Sequence, residues 1–368
     1  IFSYLPLAWR SLRKIAQILS ADLDRIGGQE LSLPVVHPAE LWQQTRRWYD
    51  IDETMARFVD RRDRDMLLAM THEEAVAYHS ATEIHSYRQL PALVYQVQTK
   101  FRDELRARGG LIRVREFLMK DSYSLDRDSA GLERQYQAHY EAYERIGARV
   151  GLPLTAVQSD VGMMGGKIAH EFMYVTPIGE DSLALCDSCG YAANRDVADF
   201  ALNPERTEPE PMERVHTPEA STIDALADLL EITAAQTAKI VFYVGTFANE
   251  QSEQYEKVVA AIVRGDLEVN VIQVKNLTGA LELRPAQEEE IAMTGMVPGF
   301  ASPVGIDQET AIFVVDRLVA DSPNLIMGAN KVDFHLKNVC FGRDYDAAFV
   351  GPLAAVFEAA SCAECGEG

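Results

Sequence analysis

Apolar and polar positions along this chain repeat with two different periods. Near the start, Leu12, Ile15, Leu19, Leu23 and Ile26 recur at helical spacing behind Pro6, which suits a first helical position, and Gly27 and Gly28 close the run. QELSLPVVHPAELW then reads as a strand entering a Pro-started helix. FVDR (58–61) and MLLAM (66–70) predict a short hairpin about the charged turn RDRD. THEE (71–74) opens a helix, with Thr71 as N-cap and Glu74 three residues on in a capping-box pattern. Val94, Gln96, Gln98 and Lys100 alternate with Tyr95, Val97, Thr99 and Phe101, the period of two of a strand. Arg106 to Gly110 read as a turn, and a strand-like run resumes from Leu111 to Met119. Residues 129–151 predict an amphipathic helix that turns Leu132, Tyr136, Tyr140, Tyr143 and Ile146 inward.

The second half changes character. From about Asn203, NPERTEPEPMERVHTPEAST reads as a Pro- and Glu-rich linker. TIDALADLL predicts a helix, and AKIVFYV (238–244) and KVVAAIVRG (257–265) predict strands. The second of these is apolar from Val258 to Val263, the mark of a central position. LEVNVIQVKNL, PAQEEEIAMTG and AIFVVDRLV follow as alternating elements of a self-contained unit.

Composition narrows the classes. The 368 residues suffice for two or three domains, and 47% hydrophobic with 25% charged content is ordinary for a globular protein. No apolar run is long enough to span a bilayer and no signal peptide opens the chain, so a cytoplasmic location without membrane contact is expected. A net charge of −21 argues against a non-specific nucleic-acid binder, while leaving room for an RNA met through local basic patches. Of five cysteines, Cys186, Cys189, Cys362 and Cys365 form two CxxCG knuckles, a zinc-ribbon signature. Their wide separation makes sense if a domain is inserted between them. Cys340 reads as core.

The stretch LVYQVQTKFRDELRARGGLIRVREFLMKD (93–121) carries the sharpest chemistry. An antiparallel pair there would set Arg102 and Glu104 across from Arg113 and Phe117. Guanidiniums suit phosphates, a phenyl ring suits a base, and a carboxylate suits an exocyclic amine. The competing reading is an exposed hairpin with ordinary surface charges.

FRDE, a loop and RVREF resemble motif 2 of the class II aminoacyl-tRNA synthetases, and the surrounding residues resemble the bacterial-type prolyl-tRNA synthetases. The strand and helix around Pro34 are similar to motif 1, which builds the class dimer. The resemblance implies an α+β fold: a class II antiparallel sheet flanked by helices, carrying an inserted mixed α/β editing domain. Residues 1–202 would be the catalytic core with motifs 1 and 2, 203–340 the editing domain, and 341–368 a return segment bearing the second CxxC knuckle. The activity implied is ATP- and Mg²⁺-dependent activation of proline, transfer to tRNA(Pro), and hydrolysis of mischarged Ala-tRNA(Pro), in a homodimer. Arg102 and Arg113 would be catalytic, and Arg102, Glu104, Arg113 and Phe117 would bind ATP. Thr71, Glu73 and His170, the last behind Gly162, Gly165 and Gly166, would bind proline. Lys239, Asp316 and His335 would serve editing, beside the loop Pro298–Pro303, where Ser302 stands in place of a glycine frequent in the family. The same residues leave bland readings open: Lys239 as a strand-edge charge, Asp316 as a helix N-cap. No third class motif is recognised after CAECGEG, so part of a longer synthetase is expected. A stand-alone deacylase, or a non-catalytic tRNA-binding module with a vestigial body, is the alternative; intact Arg102, Glu104, Arg113 and Phe117 weigh against decay.

Overall fold

A computed structural model describes residues 3–162, 166, 168–202, 204, 207–249 and 253–367. The chain divides into two compact units, Ile1–Leu154 and Thr155–Gly368. Gly165 and Asn203 lie outside the described residues.

The first unit is built on a three-stranded sheet. Ala92–Phe101 lies at its centre, parallel to Gln29–Glu30 and antiparallel to Glu116–Leu125. The second strand starts later than the sequence suggests. Gly109 and Gly110 both adopt left-handed backbone, and only an isolated bridge joins Arg108 to Arg113, so residues 102–115 form a long loop. Helix Pro6–Arg25 buries only Asp22 and Leu23. The Asp22 carboxylate accepts from Arg145 and Arg149 of helix Ser129–Val150, so charge as well as apolar contact joins the two helices. In that second helix Asp128 caps the start, its Oδ1 accepting from Gly131 N at 2.7 Å, and left-handed Gly151 ends it. Leu132 and Tyr136 face outward, which reduces the expected inward stripe to a seam around Ala142 and Ile146.

The short hairpin forms as expected from Arg57–Val59 and Asp65–Leu68, and Val36–Pro38 adds a third strand. Trp42, Ile51, Met55, Leu67 and Met70 make its core. The capping box at 71–74 does not form. Helix Glu73–Glu83 has His72 as N-cap with no side-chain cap bond, and Glu74 is buried instead.

The second unit centres on a five-stranded sheet in the order Glu282–Pro285, Ala238–Ala248, Gln254–Arg264, Ile312–Asp316, Phe349–Gly351. The first three pair antiparallel and the last two join in parallel. Val259, Ala260, Ala261, Ile262 and Val263 are all 0% exposed, because alternate side chains enter separate cores on the two faces. Two expectations change. The supposed linker contains the strand Glu213–His216, paired with Phe334–Val339, and the sheet edge Phe349–Gly351 lies beyond residue 340. The pairing partners of both segments are distant in sequence, which is why local composition hid them. A four-stranded sheet (Thr155–Ser159, Ala169–Met173, Leu183–Leu185, Ala192–Asn194) and the pair Phe200–Ala201 with Ser361–Cys362 complete the unit. No described helix is long and apolar enough to cross a membrane.

Candidate active sites

In the first unit, strand pairing and the loop at 102–115 bring the four motif residues into two contacting pairs, Arg102 with Phe117 and Arg113 with Glu104. The Arg102 guanidinium lies over the Phe117 ring, 5.5 Å from its centroid, and its Nε is buried with no hydrogen-bond partner. Arg113 Nε donates to Glu104 Oε2 at 3.0 Å. A buried, unpaired guanidinium donor beside an aromatic face costs free energy unless an anion or water completes it.

Beneath this surface lies a charged group that the sequence reading missed. Lys100 is 0% exposed and donates to Asp121 Oδ1 at 2.7 Å, while Gln96 Nε2 and Tyr123 Oη reach Asp121 Oδ2 at 2.9 and 2.5 Å. Burial pulls the Lys100 ammonium down against the upward pull of Asp121, and burial pushes the Tyr123 phenol up. Gln96 sits directly opposite Asp121 across the ladder, so Lys100, four positions along, shares their face. Charged residues inside two facing strands were the available signal.

Thr71 Oγ1 donates to the Glu73 carboxylate, and Arg47 Nη1 lies 3.6 Å from Glu73 and 3.1 Å from Glu74. Thr45 Oγ1 also donates to Glu74 at 3.1 Å. His37 Nε2 and His72 Nε2 both donate to the Pro34 carbonyl at 2.9 Å, which fixes both as Nε2–H tautomers. Trp42 Nε1 donates to His37 Nδ1 at 3.2 Å. Burial lowers His72 to about 4, and its Nδ1 has no partner, nor has Glu74 Oε2. The loop carrying Thr71 and Glu73 is thus bound to Pro34 through His72.

In the second unit a cavity of about 230 Å³ opens against the sheet. Lys239, Ile240 and Phe242 come to it from one strand; Ser221, Thr222, Ile223 and Leu226, from the first helix and its approach, face them. Gly299 and Ala301 of the predicted Pro298–Pro303 loop, Gly328 and His335 complete the lining. Lys239 Nζ lies 2.7 Å from Glu268 Oε1. His335 Nδ1 is 2.7 Å from Thr217 Oγ1, and burial lowers its pKa to about 4, so it is neutral at pH 7. The loop lies flush against Gly328, where a Cβ would come within 2.0 Å of the Phe300 carbonyl carbon. Asn330 holds it there: Oδ1 accepts from Ser302 N at 2.9 Å and Nδ2 donates to Ser302 O at 2.8 Å. Ser302 is 0% exposed, and its Oγ accepts from Val304 N at 3.2 Å.

Asp316 does not line this cavity. Its Oδ1 caps helix Arg317–Asp321 by accepting from Leu318 N at 2.9 Å, and its Oδ2 accepts from Leu353 N and Ala354 N at 2.7 and 3.0 Å. The N-cap alternative is the one realised. His170 lies on the second unit's strand Ala169–Met173, opposite Gln158. The four knuckle cysteines converge, with Sγ atoms all within 4.8 Å of one another, a set compatible with zinc.

Residues 217–344 match the family of the aminoacyl-tRNA editing domain. The cavity lies within that match, since every residue lining it falls between 217 and 344. Along its whole length the chain is similar to proline–tRNA ligases: 53% identical to that of Salinispora tropica over 100% of this chain and 61% of the relative. The Dehalococcoides mccartyi and Syntrophus aciditrophicus ligases are 43% and 44% identical, each over 99% of this chain and 62% of the relative. The resemblance to bacterial-type prolyl-tRNA synthetases, editing domain included, therefore runs along the whole chain. The chain spans about three fifths of the length of these curated relatives.

Proposed function

We propose that the chain is the part of a cytoplasmic proline–tRNA ligase that activates proline with ATP and clears alanine from mischarged tRNA(Pro). The observation that carries the reading is the 230 Å³ cavity of residues 217–344, rimmed by Lys239 and His335. A cavity of this size admits an alanyl group. Alanine is smaller than proline, and rejecting a smaller apolar substrate at one synthetic site yields only about 1–3 kcal/mol, so a second hydrolytic sieve has a physical reason to exist. Lys239, charged and at the rim, meets the tRNA end. Neutral His335, fixed by Thr217, shapes the pocket and offers its ring to the ester or to water. Asp316 acts indirectly, by holding the sheet edge.

In the first unit the proline carboxylate attacks the α-phosphorus of ATP, the bond to the β-phosphate breaks and pyrophosphate leaves, and catalysis is positioning plus charge stabilisation. Arg102 takes the α-phosphate with its unpaired Nε, and Phe117 stacks on adenine. Glu104 reads the adenine amino group, and Arg113, released from Glu104, takes the γ-phosphate. Mg²⁺, when bound with ATP, would supply charge neutralisation at the phosphates. Glu73, with Thr71, holds the proline ammonium, and His170, on the second unit, is a proline-binding residue in this reading. The finer architecture proposed is a class II antiparallel sheet interrupted by the editing domain, in a homodimer formed through motif 1.

Hydrolysis of Ala-tRNA(Pro) and Pro-tRNA(Pro) by this chain tests the reading. Selective loss of alanine, reduced by Lys239→Ala, supports it. Equal hydrolysis of both, or none, overturns it.

A further inference from the structure

We propose that Cys186, Cys189, Cys362 and Cys365 form a closed structural zinc site that clasps the two ends of the chain excursion containing the editing domain. Two knuckles far apart in sequence are built alike. In the first, Gly190 N donates to Cys186 O at 3.0 Å and Cys186 N to Tyr191 O at 2.8 Å. In the second, Gly366 N donates to Cys362 O at 2.9 Å and Cys362 N to Glu367 O at 2.7 Å. Each therefore has the same two bonds at the same offsets. Each ends on a left-handed glycine, Gly190 at φ 81° and Gly366 at φ 76°. Such a turn aims the two thiols of a CxxC to one side. The repeated hairpin makes the cluster a built arrangement rather than a chance meeting of cysteines.

The sulfur geometry fits a metal and not disulfides. Cys186 Sγ and Cys365 Sγ are 3.7 Å apart, and Cys189 Sγ and Cys362 Sγ 3.6 Å. A zinc ion with Zn–S bonds of about 2.3 Å sets the edges of its sulfur tetrahedron at about 3.8 Å. A disulfide needs about 2.05 Å. Four protein thiolates fill zinc's tetrahedron and leave no position for water or substrate, so the site is structural and not catalytic. Glu364 N, 3.4 Å from Cys362 Sγ, supplies an amide to a thiolate. The second knuckle begins on the strand Ser361–Cys362, which pairs with Phe200–Ala201 just after the first. The metal therefore closes a loop of 173 positions, from Cys189 to Cys362, at its base. Closing so long a loop removes much conformational freedom from the unfolded chain.

The test is metal content of the full chain, purified with a thiol reductant and without chelator. The expected result is about one zinc per chain, replaceable by cobalt with the visible absorption of a tetrahedral thiolate site. Cys186→Ser and Cys365→Ser should each reduce zinc to about a tenth or less, while Cys340→Ser, outside the cluster, keeps it. Should the serine variants misfold, thiol counting on the wild type still decides. Four knuckle thiols protected until zinc is chelated support the site. Freely reactive thiols with no bound metal, iron in place of zinc, or disulfides under reducing conditions would each overturn it.

Discussion

Asp316→Ala separates a structural role from a catalytic one. The carboxylate is 2% exposed and accepts from three backbone amides, Leu318, Leu353 and Ala354, at 2.7–3.0 Å. Truncation leaves three buried donors without partners, each costing about 1–3 kcal/mol, the Leu318 amide among them being the helix cap. Allowing for relaxation and water entry, the loss is about 4 kcal/mol. For a unit of this size that lowers Tm by roughly 8–16 °C. The assay can tell which unit has changed. Trp9, Trp42 and Trp48 all lie in the first unit, so tryptophan fluorescence follows that unit while circular dichroism follows both. The fluorescence transition should stay in place and a circular-dichroism transition should move down. Below that transition, hydrolysis of Ala-tRNA(Pro) should remain within a few fold of wild type. Asp316→Asn, which keeps one acceptor, should lose less. An Asp316→Ala chain of unchanged stability but without hydrolysis would refute the reasoning and return Asp316 to the chemistry.

Other perturbations follow from the same contacts. Asn330→Gly preserves the left-handed backbone at φ 50° but removes the amide that holds the cavity loop at Ser302; kcat for deacylation should fall about tenfold with KM nearly unchanged, and an unchanged kcat would show the loop needs no brace. The His335 ring should show no protonation by NMR between pH 8 and 5. Its folded pKa near 4 lies below the ordinary 6.5, so the stability it lends is complete above about pH 6.5 and is lost toward pH 4, about 3 kcal/mol in all; an NMR pKa near 6.5 would contradict its burial. Lys100→Met strands the Asp121 carboxylate among Gln96 and Tyr123, so the tryptophan-monitored transition should weaken by about 3–5 kcal/mol, and a shift below about 1 kcal/mol would mean water reaches the pair.

What the sequence made legible depended on whether a residue's role is local. The alternation at 94–101 and the apolar run at 258–263 act within a few positions, and each formed. Thr71 and Glu74 had the spacing of a capping box, yet Glu74 is taken by Arg47 and Thr45, which lie 27 and 29 positions away. The strand Glu213–His216 looked like linker because its partner, Phe334–Val339, is more than a hundred residues distant. Lys100 looked like one surface charge among many until its partner, Asp121, came round the hairpin.

The candidate sites divide along the same line. Arg102, Glu104, Arg113 and Phe117 could be read because a single hairpin brings them into two contacting pairs, so their spacing in sequence is nearly their geometry. Lys239 and His335 meet only after a sheet and a long return. Spacing alone could not tell them from Asp316, whose side chain ends on backbone amides 2, 37 and 38 positions away. Their assignment rested on family resemblance; Lys239 and His335 line the cavity, and Asp316 is not among its lining residues. A residue that faces open space with a free or mobile polar group can meet a ligand. A carboxylate already saturated by three amides cannot do so without breaking what it holds.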